Sequence, residues 1–195
     1  EMKNFLRIAA GVETATLLLA IHRLAKMGDI WKEDTYLRDY PQGPFGDTES
    51  IILRFPPRSV HETEEALKEH LANFDQHECN DTAAFKQMPE ARGLIYNLMA
   101  AVQGERLGRC IINKIKPGGR IYPHPDTAAH AEYYDRFHIV LQSGPGAIFI
   151  CEDEQVSMQT GEVWWFNNRL MHEVVNNSAD DRIHLVVDIR TSKPV

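Results

Sequence analysis

The sequence predicts a mainly β protein in which a helical N-terminal layer packs on a C-terminal β-barrel or jelly roll. After about residue 105 the chain reads as short apolar segments separated by turns such as SGPG and SADD. Such segments without crossover helices are typical of a sandwich or barrel rather than a parallel sheet. A chain of 195 residues can bury one full core. We therefore predict a single domain over 1–195, with a helix-rich support region at 1–105 and a β core at 106–195.

Before residue 105 the apolar periodicity is mainly helical. It predicts helical turns on one face through Phe5, Ile8, Ala9 and Val12 and then through Leu17, Ala20, Ile21 and Leu24. Ser59 and Glu62 resemble a capping box, followed by a helical face with Ala66, Leu67, His70, Leu71 and Phe74. A third helix is predicted from about Pro89 to Val102, and a strand at Ser50–Phe55.

The β core is predicted to contain one strand in each of several apolar segments. These segments are GRCIINKI, RFHIVLQ, AIFICE, VSMQ, TGEVWWF, HEVVNN and RIHLVVDI. Trp164 and Trp165 are consecutive, so they should point to opposite faces of their strand, with core packing favoured.

Charge and cysteine content exclude several classes of protein. The net charge of −7 and the absence of a Lys/Arg cluster argue against a nucleic-acid or anionic-membrane surface. Cys79, Cys110 and Cys151 form no CxxC pair, which argues against a structural zinc site or a disulfide framework. The N-terminal apolar run is interrupted by Arg7 and Glu13 and is too short to span a bilayer. We expect a cytoplasmic protein with reduced thiols.

The segment YPHPD holds a candidate metal-binding pair. His124 and Asp126 are two residues apart, so in extended backbone both side chains point to the same side and can share one ion. A third ligand is expected on a later strand, and His172 follows the turn NNRLM at a predicted strand end. Arg182 opens the otherwise apolar strand RIHLVVDI ten residues further on.

Two histidines and one carboxylate on one face form the facial triad of non-haem Fe(II) oxygenases. Such a site leaves positions for a chelating 2-oxo acid and for O₂. The far carboxylate of the 2-oxo acid then needs a fixed cation, and a guanidinium can pair with it bidentately. Arg182 is the candidate for this anchor.

From roughly Arg109 to Arg190 the sequence resembles the aspartyl/asparaginyl β-hydroxylase family of Fe(II)/2-oxoglutarate-dependent dioxygenases. The matching segments are KPGGRIYPHPD, DRFHIVL and GEVWWFNNRLMHEVVNNSADDRIHLVVDIR. The resemblance implies a double-stranded β-helix (jelly-roll) fold. The segment TAAHAEYY, between Asp126 and Arg136, departs from the family pattern and is expected to shape substrate access.

The resemblance also implies roles for individual residues. His124, Asp126 and His172 match the iron ligands, and Arg182 matches the anchor for the distal carboxylate of 2-oxoglutarate. Three more positions match contacts to this cosubstrate: Arg136, His138 and, more loosely, Asn113.

Several other polar residues keep two interpretations. His130, Tyr133 and Tyr134 belong either to a solvated loop after the ligands or to a substrate contact. His184 shares the face of Arg182 and is either structural or part of the pocket, and Asp188 is expected in a structural pair.

The leading hypothesis is an Fe(II)- and 2-oxoglutarate-dependent hydroxylase. It would act on an unactivated C–H bond of an amino acid, or of an amino-acid side chain in a peptide or protein, and release succinate and CO₂. One alternative is a non-catalytic cupin-like binding module, and another is a zinc hydrolase, which would not require Arg182. We expect no nucleic-acid or membrane partner, and the sequence carries no signal for an oligomeric state.

Overall fold

The computed structural model of the chain describes residues 1–58 and 61–195. Its helices are α1 (Ala15–Met27), α2 (Tyr36–Asp39), α3 (Glu64–Ala72), α4 (Ala83–Gln87), α5 (Glu90–Ala101) and α6 (Ala128–Tyr133). Its strands are β1 (Phe5–Ala9), β2 (Thr48–Phe55), β3 (Asn80–Asp81), β4 (Gly104–Ile115), β5 (Arg120–His124), β6 (Asp135–Gln142), β7 (Ala147–Cys151), β8 (Glu154–Val156), β9 (Val163–Phe166), β10 (His172–Asn176) and β11 (Arg182–Thr191).

The strands form two antiparallel sheets that pack on each other. The larger sheet has the order β1-β9-β6-β11-β4-β2-β3, and the smaller sheet has the order β5-β10-β7-β8. One hydrophobic cluster joins them, since it contains Val140 and Phe166 from the larger sheet and Phe149 and Val174 from the smaller one. This arrangement confirms the predicted jelly roll with a helical layer.

The side chains of the central strand β11 point to two different sides of the larger sheet. Ile183, Leu185 and Val187 belong to the core beneath the helices. The alternate residues Arg182 and His184 are also buried, but they point to the side of the smaller sheet because side chains alternate along a strand. The apolar half of the strand therefore anchors the sheet, while the polar half is free to build a site.

Helices α1 and α5 cover the outer face of the larger sheet. Leu17 and Ile21 of α1 and Ile95 of α5 are buried in the same cluster as the apolar half of β11. The predicted helices around Leu17–Leu24 and Pro89–Val102 are thus confirmed. None of the helices in the described part of the chain is long and apolar enough to cross a membrane.

The prediction of helical structure from Phe5 was wrong. Phe5–Ala9 is the edge strand β1, which pairs with β9 so that Phe5 lies opposite Phe166. Phe5 is buried between the sheets, with its ring centroid 5.5 Å from that of Phe149. The apolar spacing over so few residues does not separate helix from strand, and the backbone partners of β1 lie more than 150 residues away in sequence.

The N-terminal region also contributes an inner strand to the larger sheet. The predicted strand at Ser50–Phe55 is β2, which pairs with β4. Strand β4 begins at Gly104, so the predicted division between residues 105 and 106 falls inside it.

The helix α3 begins later than the predicted capping box. Ser59 of that box lies outside the described residues, and the helix is capped by Thr63, whose hydroxyl accepts a hydrogen bond from the Ala66 backbone N–H at 3.1 Å. The predicted apolar face is present, but it is not buried: Leu67, Leu71 and Phe74 are all exposed.

Two segments of the β core differ from their predictions. The predicted strand VSMQ is wrong in its bounds, because β8 ends at Val156. The segment TAAHAEYY, for which a solvated loop was one of two interpretations, contains the short helix α6 at Ala128–Tyr133. Tyr134 then follows α6 as a buried residue whose hydroxyl donates to the carbonyl oxygen of His77 at 2.6 Å.

Candidate metal centre and adjoining cavity

Three predicted ligands lie together at one end of the smaller sheet. His124 ends β5 and His172 begins β10, and the antiparallel register places these two residues opposite each other. Asp126 follows β5, and its backbone N–H donates to the carbonyl oxygen of Asn168 at 3.0 Å. One potential ligand atom from each of the three side chains lies within 4.8 Å of the others.

Both histidines are held in the orientation that a metal ligand needs. Nδ1 of His124 lies 2.8 Å from the carbonyl oxygen of Tyr122, and Nδ1 of His172 lies 2.8 Å from that of Leu170. A carbonyl oxygen only accepts, so each Nδ1 carries the proton and each Nε2 keeps its lone pair. These Nε2 atoms lie 3.4 Å and 3.6 Å from Oδ1 of Asp126.

The other oxygen of Asp126 is bound by protein donors. Oδ2 accepts a hydrogen bond from Nη1 of Arg136 at 2.7 Å and from Nδ2 of Asn168 at 2.8 Å. Burial alone would raise the pKa of Asp126, but the Arg136 charge and the hydrogen bond from Asn168 hold it well below its ordinary value. Asp126 is therefore a carboxylate at neutral pH, with Oδ1 directed at the two imidazoles.

The imidazole of His172 is uncharged at neutral pH for a different reason. Burial lowers its pKa to about 4, although the carboxylate of Asp126 acts in the opposite direction. A neutral imidazole beside an ionised carboxylate is the protonation state that binds a divalent cation without first releasing a proton.

Arg136 connects the centre to a buried carboxylate on β11. Its Nε and Nη2 atoms donate to the two oxygens of Asp188 at 2.8 and 2.9 Å. His130 on α6 completes the network, with Nε2 2.7 Å from Oδ2 of Asp188. The expected structural pair of Asp188 is therefore present. Because Arg136 contacts both Asp188 and Asp126, this pair lies beside the candidate metal centre.

Arg182 lies deep in the molecule, and no carboxylate of the described residues pairs with it. It is only 2% exposed, and neither Nη1 nor Nη2 has a hydrogen-bond partner among the described residues. Its guanidinium stands over the Phe149 ring at 5.7 Å. Burial lowers the pKa of Arg182 from its ordinary value to about 9. A buried cation left in this condition is costly, and an anionic ligand would relieve the cost.

Two histidines and an asparagine lie near Arg182 on neighbouring strands. Nδ1 of His138 is 2.9 Å from Nδ1 of His184, and burial lowers the pKa of both side chains well below the ordinary histidine value. Asn113 lies opposite His184 in the sheet and donates from Nδ2 to Ser50 Oγ at 3.2 Å. The buried Asn113 Oδ1 has no partner among the described residues.

A cavity of about 520 Å³ connects these groups. Its size is within the range of small-molecule sites. The seven predicted site residues all line it: Asn113, His124, Asp126, Arg136, His138, His172 and Arg182. His130 also lines it, whereas Tyr133, Tyr134 and His184 are not among the lining residues.

The donor set fits a divalent transition metal. Two imidazole nitrogens and one carboxylate oxygen, all on one side, match the facial triad that is typical of non-haem Fe(II) proteins. The site and the antiparallel double sheet together define a jelly-roll protein with a candidate 2-His-1-carboxylate centre.

The sequence identifies the family to which this jelly-roll protein belongs. Residues 59–192 match the family described as aspartyl/asparaginyl beta-hydroxylase, and the chain is a member of it. This match includes all seven predicted site residues, whereas the part of the cavity lined by residues 36–58 lies outside it.

Two named relatives match a shorter part of the chain. An L-proline cis-4-hydroxylase of Rhizobium meliloti (strain 1021) is 30% identical over 81 residues, which cover 42% of this chain and 29% of that protein. An L-proline cis-3-hydroxylase 1 of a Streptomyces species is 29% identical over 89 residues, which cover 44% of this chain and 30% of that protein. The chain thus spans about a third or less of the length of these relatives.

Solved structures share the fold. A prolyl hydroxylase from Trichoplax adhaerens, solved with a hypoxia inducible factor peptide fragment, has a TM-score of 0.56 at 11% identity, covering 96% of this chain and 84% of that one. The viral collagen prolyl hydroxylase of Paramecium Bursaria Chlorella virus-1 has a TM-score of 0.51 at 12% identity, covering 97% of each chain. At these identities the likeness establishes the fold alone.

Sequence reasoning missed two polar residues that the fold brings to the site. Asn168, which binds Asp126, lies in the turn NNRLM, where a polar residue at a strand end is the only local signal. Arg109 lines the cavity from β4, and its position directly after Gly108 carries no local signal at all.

Proposed function

We propose that this chain is an Fe(II)- and 2-oxoglutarate-dependent dioxygenase. It hydroxylates an unactivated C–H bond of an amino acid, or of an amino-acid side chain in a peptide or protein. The proposal rests above all on one observation: the His124–Asp126–His172 cluster and the unpaired guanidinium of Arg182 line the same cavity.

His124, Asp126 and His172 would hold the iron. When bound, Fe(II) supplies the oxidising chemistry, in which substrate, 2-oxoglutarate and O₂ become hydroxylated product, succinate and CO₂. The carbonyl partners of the two imidazoles fix their tautomers, and Asn168 and Arg136 fix the carboxylate. The ligands are therefore oriented before any ion arrives, which lowers the cost of binding it.

Arg182 would bind the distal carboxylate of 2-oxoglutarate. Its planar guanidinium can form two parallel hydrogen bonds with a carboxylate, and it has already lost its water to burial. Asn113 and His138 would contact the same cosubstrate, since both line the cavity and the Asn113 amide nitrogen has a second N–H besides the one donated to Ser50 Oγ.

Arg136 would have a different main role from the cosubstrate contact that its position in the family pattern predicts. Three of its five N–H groups already donate to Asp126 and Asp188. We propose that it chiefly positions Asp126 and that a cosubstrate contact would use one of its two remaining N–H groups.

A cytoplasmic location is also proposed, supported by the three buried free cysteines.

The test is 2-oxoglutarate turnover by the purified chain supplied with Fe(II), 2-oxoglutarate and O₂. Because both named relatives are L-proline hydroxylases, L-proline is the first substrate to add, followed by the other amino acids and a cell lysate. Succinate should form, and a substrate should gain the mass of one oxygen in proportion to it.

The control is His172→Ala, which should form no more succinate than a mixture of Fe(II), 2-oxoglutarate and O₂ without protein. Binding of 2-oxoglutarate by the wild type without any succinate would favour the non-catalytic binding module instead. Hydrolysis supported by Zn(II) without O₂ consumption would favour the zinc hydrolase.

A further inference from the structure

Four arginines line the cavity, and they differ in whether a carboxylate already neutralises them. These are Arg58, Arg109, Arg136 and Arg182. Arg58 pairs with Asp34 at 2.7 Å, and Arg136 pairs with two carboxylates. For Arg109 and Arg182, the described residues provide no carboxylate within ion-pairing distance. Two cations therefore remain for ligands.

Arg109 is partly buried and incompletely hydrogen-bonded. Its Nε is shielded from solvent and has no hydrogen-bond partner among the described residues. Its guanidinium stands over the ring of Phe55 at 4.9 Å, which supports the plane of the group and leaves its hydrogen-bonding edge available. A donor that has lost water without gaining a partner costs free energy, and a carboxylate at this edge would recover it.

The strand pattern places Arg109 and Arg182 far apart in the cavity. On β4, Arg109, Ile111 and Asn113 line the cavity in alternation, while Cys110 and Ile112 enter the core under the helices. Ile115 lies opposite Arg182, and Arg109 lies six residues earlier on the same strand. Six strand residues span roughly 20 Å between Cα atoms. The two guanidinium groups therefore serve different carboxylates.

Arg109 is at the end of the cavity that carries the metal-centre network. Val187 lies opposite Cys110 and Ile189 lies opposite Leu107, so the strand register places Arg109 next to Asp188. Asp188 in turn faces Arg136 on β6. Asp126 is already bound by Arg136 and Asn168. A further anion at Arg109 would thus lie beside the centre without displacing an existing pair.

We propose that Arg109 binds a carboxylate of the molecule that is hydroxylated, and so selects a carboxylate-bearing amino acid or acidic side chain. This inference rests on the proposed function. Arg182 binds 2-oxoglutarate at one end of the cavity, and Arg109 binds the carboxylate of the substrate at the other end. The metal ligands line the same cavity. The carboxylate is either the α-carboxylate of a free amino acid or the side-chain carboxylate of an acidic residue.

The experiment measures succinate formation by the full chain with Fe(II) and 2-oxoglutarate. The probes are the twenty free L-amino acids, their α-carboxamides, and the blocked pair N-acetyl-aspartate N-methylamide and N-acetyl-asparagine N-methylamide. The free acids report an α-carboxylate, and the blocked aspartate reports a side-chain carboxylate. The variants are Arg109→Met and Arg109→Lys, with Arg58→Met as the matched control because Arg58 also stands over Phe55 but already has Asp34.

In the wild type, at least one acid should raise the rate, and its amide should be at least about tenfold poorer in kcat/KM. Arg109→Met should raise the KM for that acid by about 30-fold or more and remove the preference for acid over amide. Arg109→Lys keeps the charge but not the bidentate fork, so its KM should rise by about tenfold. Arg58→Met should keep the preference.

Folding of each variant is followed by the thermal unfolding midpoint and its shift with 2-oxoglutarate; should Arg109→Met not fold, Arg109→Lys carries the test. Equal use of acid and amide by the wild type would overturn the inference, as would an unchanged preference in Arg109→Met. So would 2-oxoglutarate turnover that no carboxylate probe affects. If no 2-oxoglutarate is converted under any condition, the proposed function itself is wrong, and that result is separate from the preceding ones.

Discussion

Arg136 and Asp188 face each other across neighbouring strands β6 and β11 and are joined by two parallel hydrogen bonds, at 2.8 and 2.9 Å. Asp188 is completely buried, so the pair is formed in the interior of the sheet. The third arm of the same guanidinium reaches Asp126. A pair on the larger sheet thus sets the orientation of a candidate ligand that follows a strand of the smaller one.

We predict that Asp188→Asn will destabilise the protein by about 3–5 kcal/mol. The reason is that a buried guanidinium would lose one of the two carboxylates that neutralise it. Urea unfolding at neutral pH measures the loss. Glu173→Gln is the control, because the Arg120–Glu173 pair is half-exposed and its loss should cost less than about 1 kcal/mol. Equal stability of Asp188→Asn and the wild type would show that the pair is not structural.

The metal centre is tested without turnover by anaerobic titration with Fe(II) or Co(II). His124→Ala and His172→Ala should each lower the affinity for the ion. The loss should be at least the roughly 10–100-fold that follows when a residue hydrogen-bonded to a ligand is removed. Asn168→Ala, which removes only a partner of Asp126, should have a smaller effect. His22→Ala on α1 serves as the control. Unchanged affinity in His172→Ala would remove this residue from the set of ligands.

Arg182→Met is predicted to have opposite effects on two measurements. Without 2-oxoglutarate the variant should unfold at a higher temperature, because an unpaired buried cation is replaced by an apolar chain of similar length. With 2-oxoglutarate it should lose affinity by about 30-fold or more, since the bidentate pair cannot form. A lower unfolding temperature together with full affinity would contradict both statements and assign the distal carboxylate to another cation.

The buried histidines predict that stability falls in mildly acidic solution. The folded pKa values of His138, His172 and His184 are all lowered, so below about pH 6.5 the unfolded chain binds more protons than the folded one. The free energy of unfolding therefore does not change with these groups above about pH 6.5. As the pH falls below that value, it decreases by about 1.4 kcal/mol per pH unit for each histidine. The charge of Arg182 contributes to the lowered values of His138 and His184.

Chemical unfolding of the metal-free protein at pH 7.5, 6.5 and 5.5 measures this slope. His184→Gln keeps a hydrogen-bonding side chain beside His138 but removes one titrating group, so its slope should be smaller by about 1.4 kcal/mol per pH unit. His70→Gln, on α3, is the comparison and should follow the wild type. A slope that is the same in all three proteins would mean that folding does not lower the pKa of His184.

Much of the fold was predictable because it depends on neighbours in sequence. Alternation and turn residues identified most strands of the β core, and the three- and four-residue spacing identified α1 and α5. The strand β1 was not predictable in this way. A segment of five residues, four of them apolar, is compatible with a helix or a strand. The strand is formed because β9 offers backbone partners and a site for Phe5 beside Phe149.

The candidate site divides along the same physical line. The sequence alone determined the HxD pair, since two residues of extended backbone place His124 and Asp126 on one side, and it indicated His172 and Arg182 in order along the chain. Only the tertiary structure decided the contacts of the guanidinium groups. Arg136 binds a carboxylate 52 residues away, whereas Arg109 and Arg182 find none in the described part of the chain. Pairing depends on which strands are neighbours in the sheet and on which side chains share its inner face.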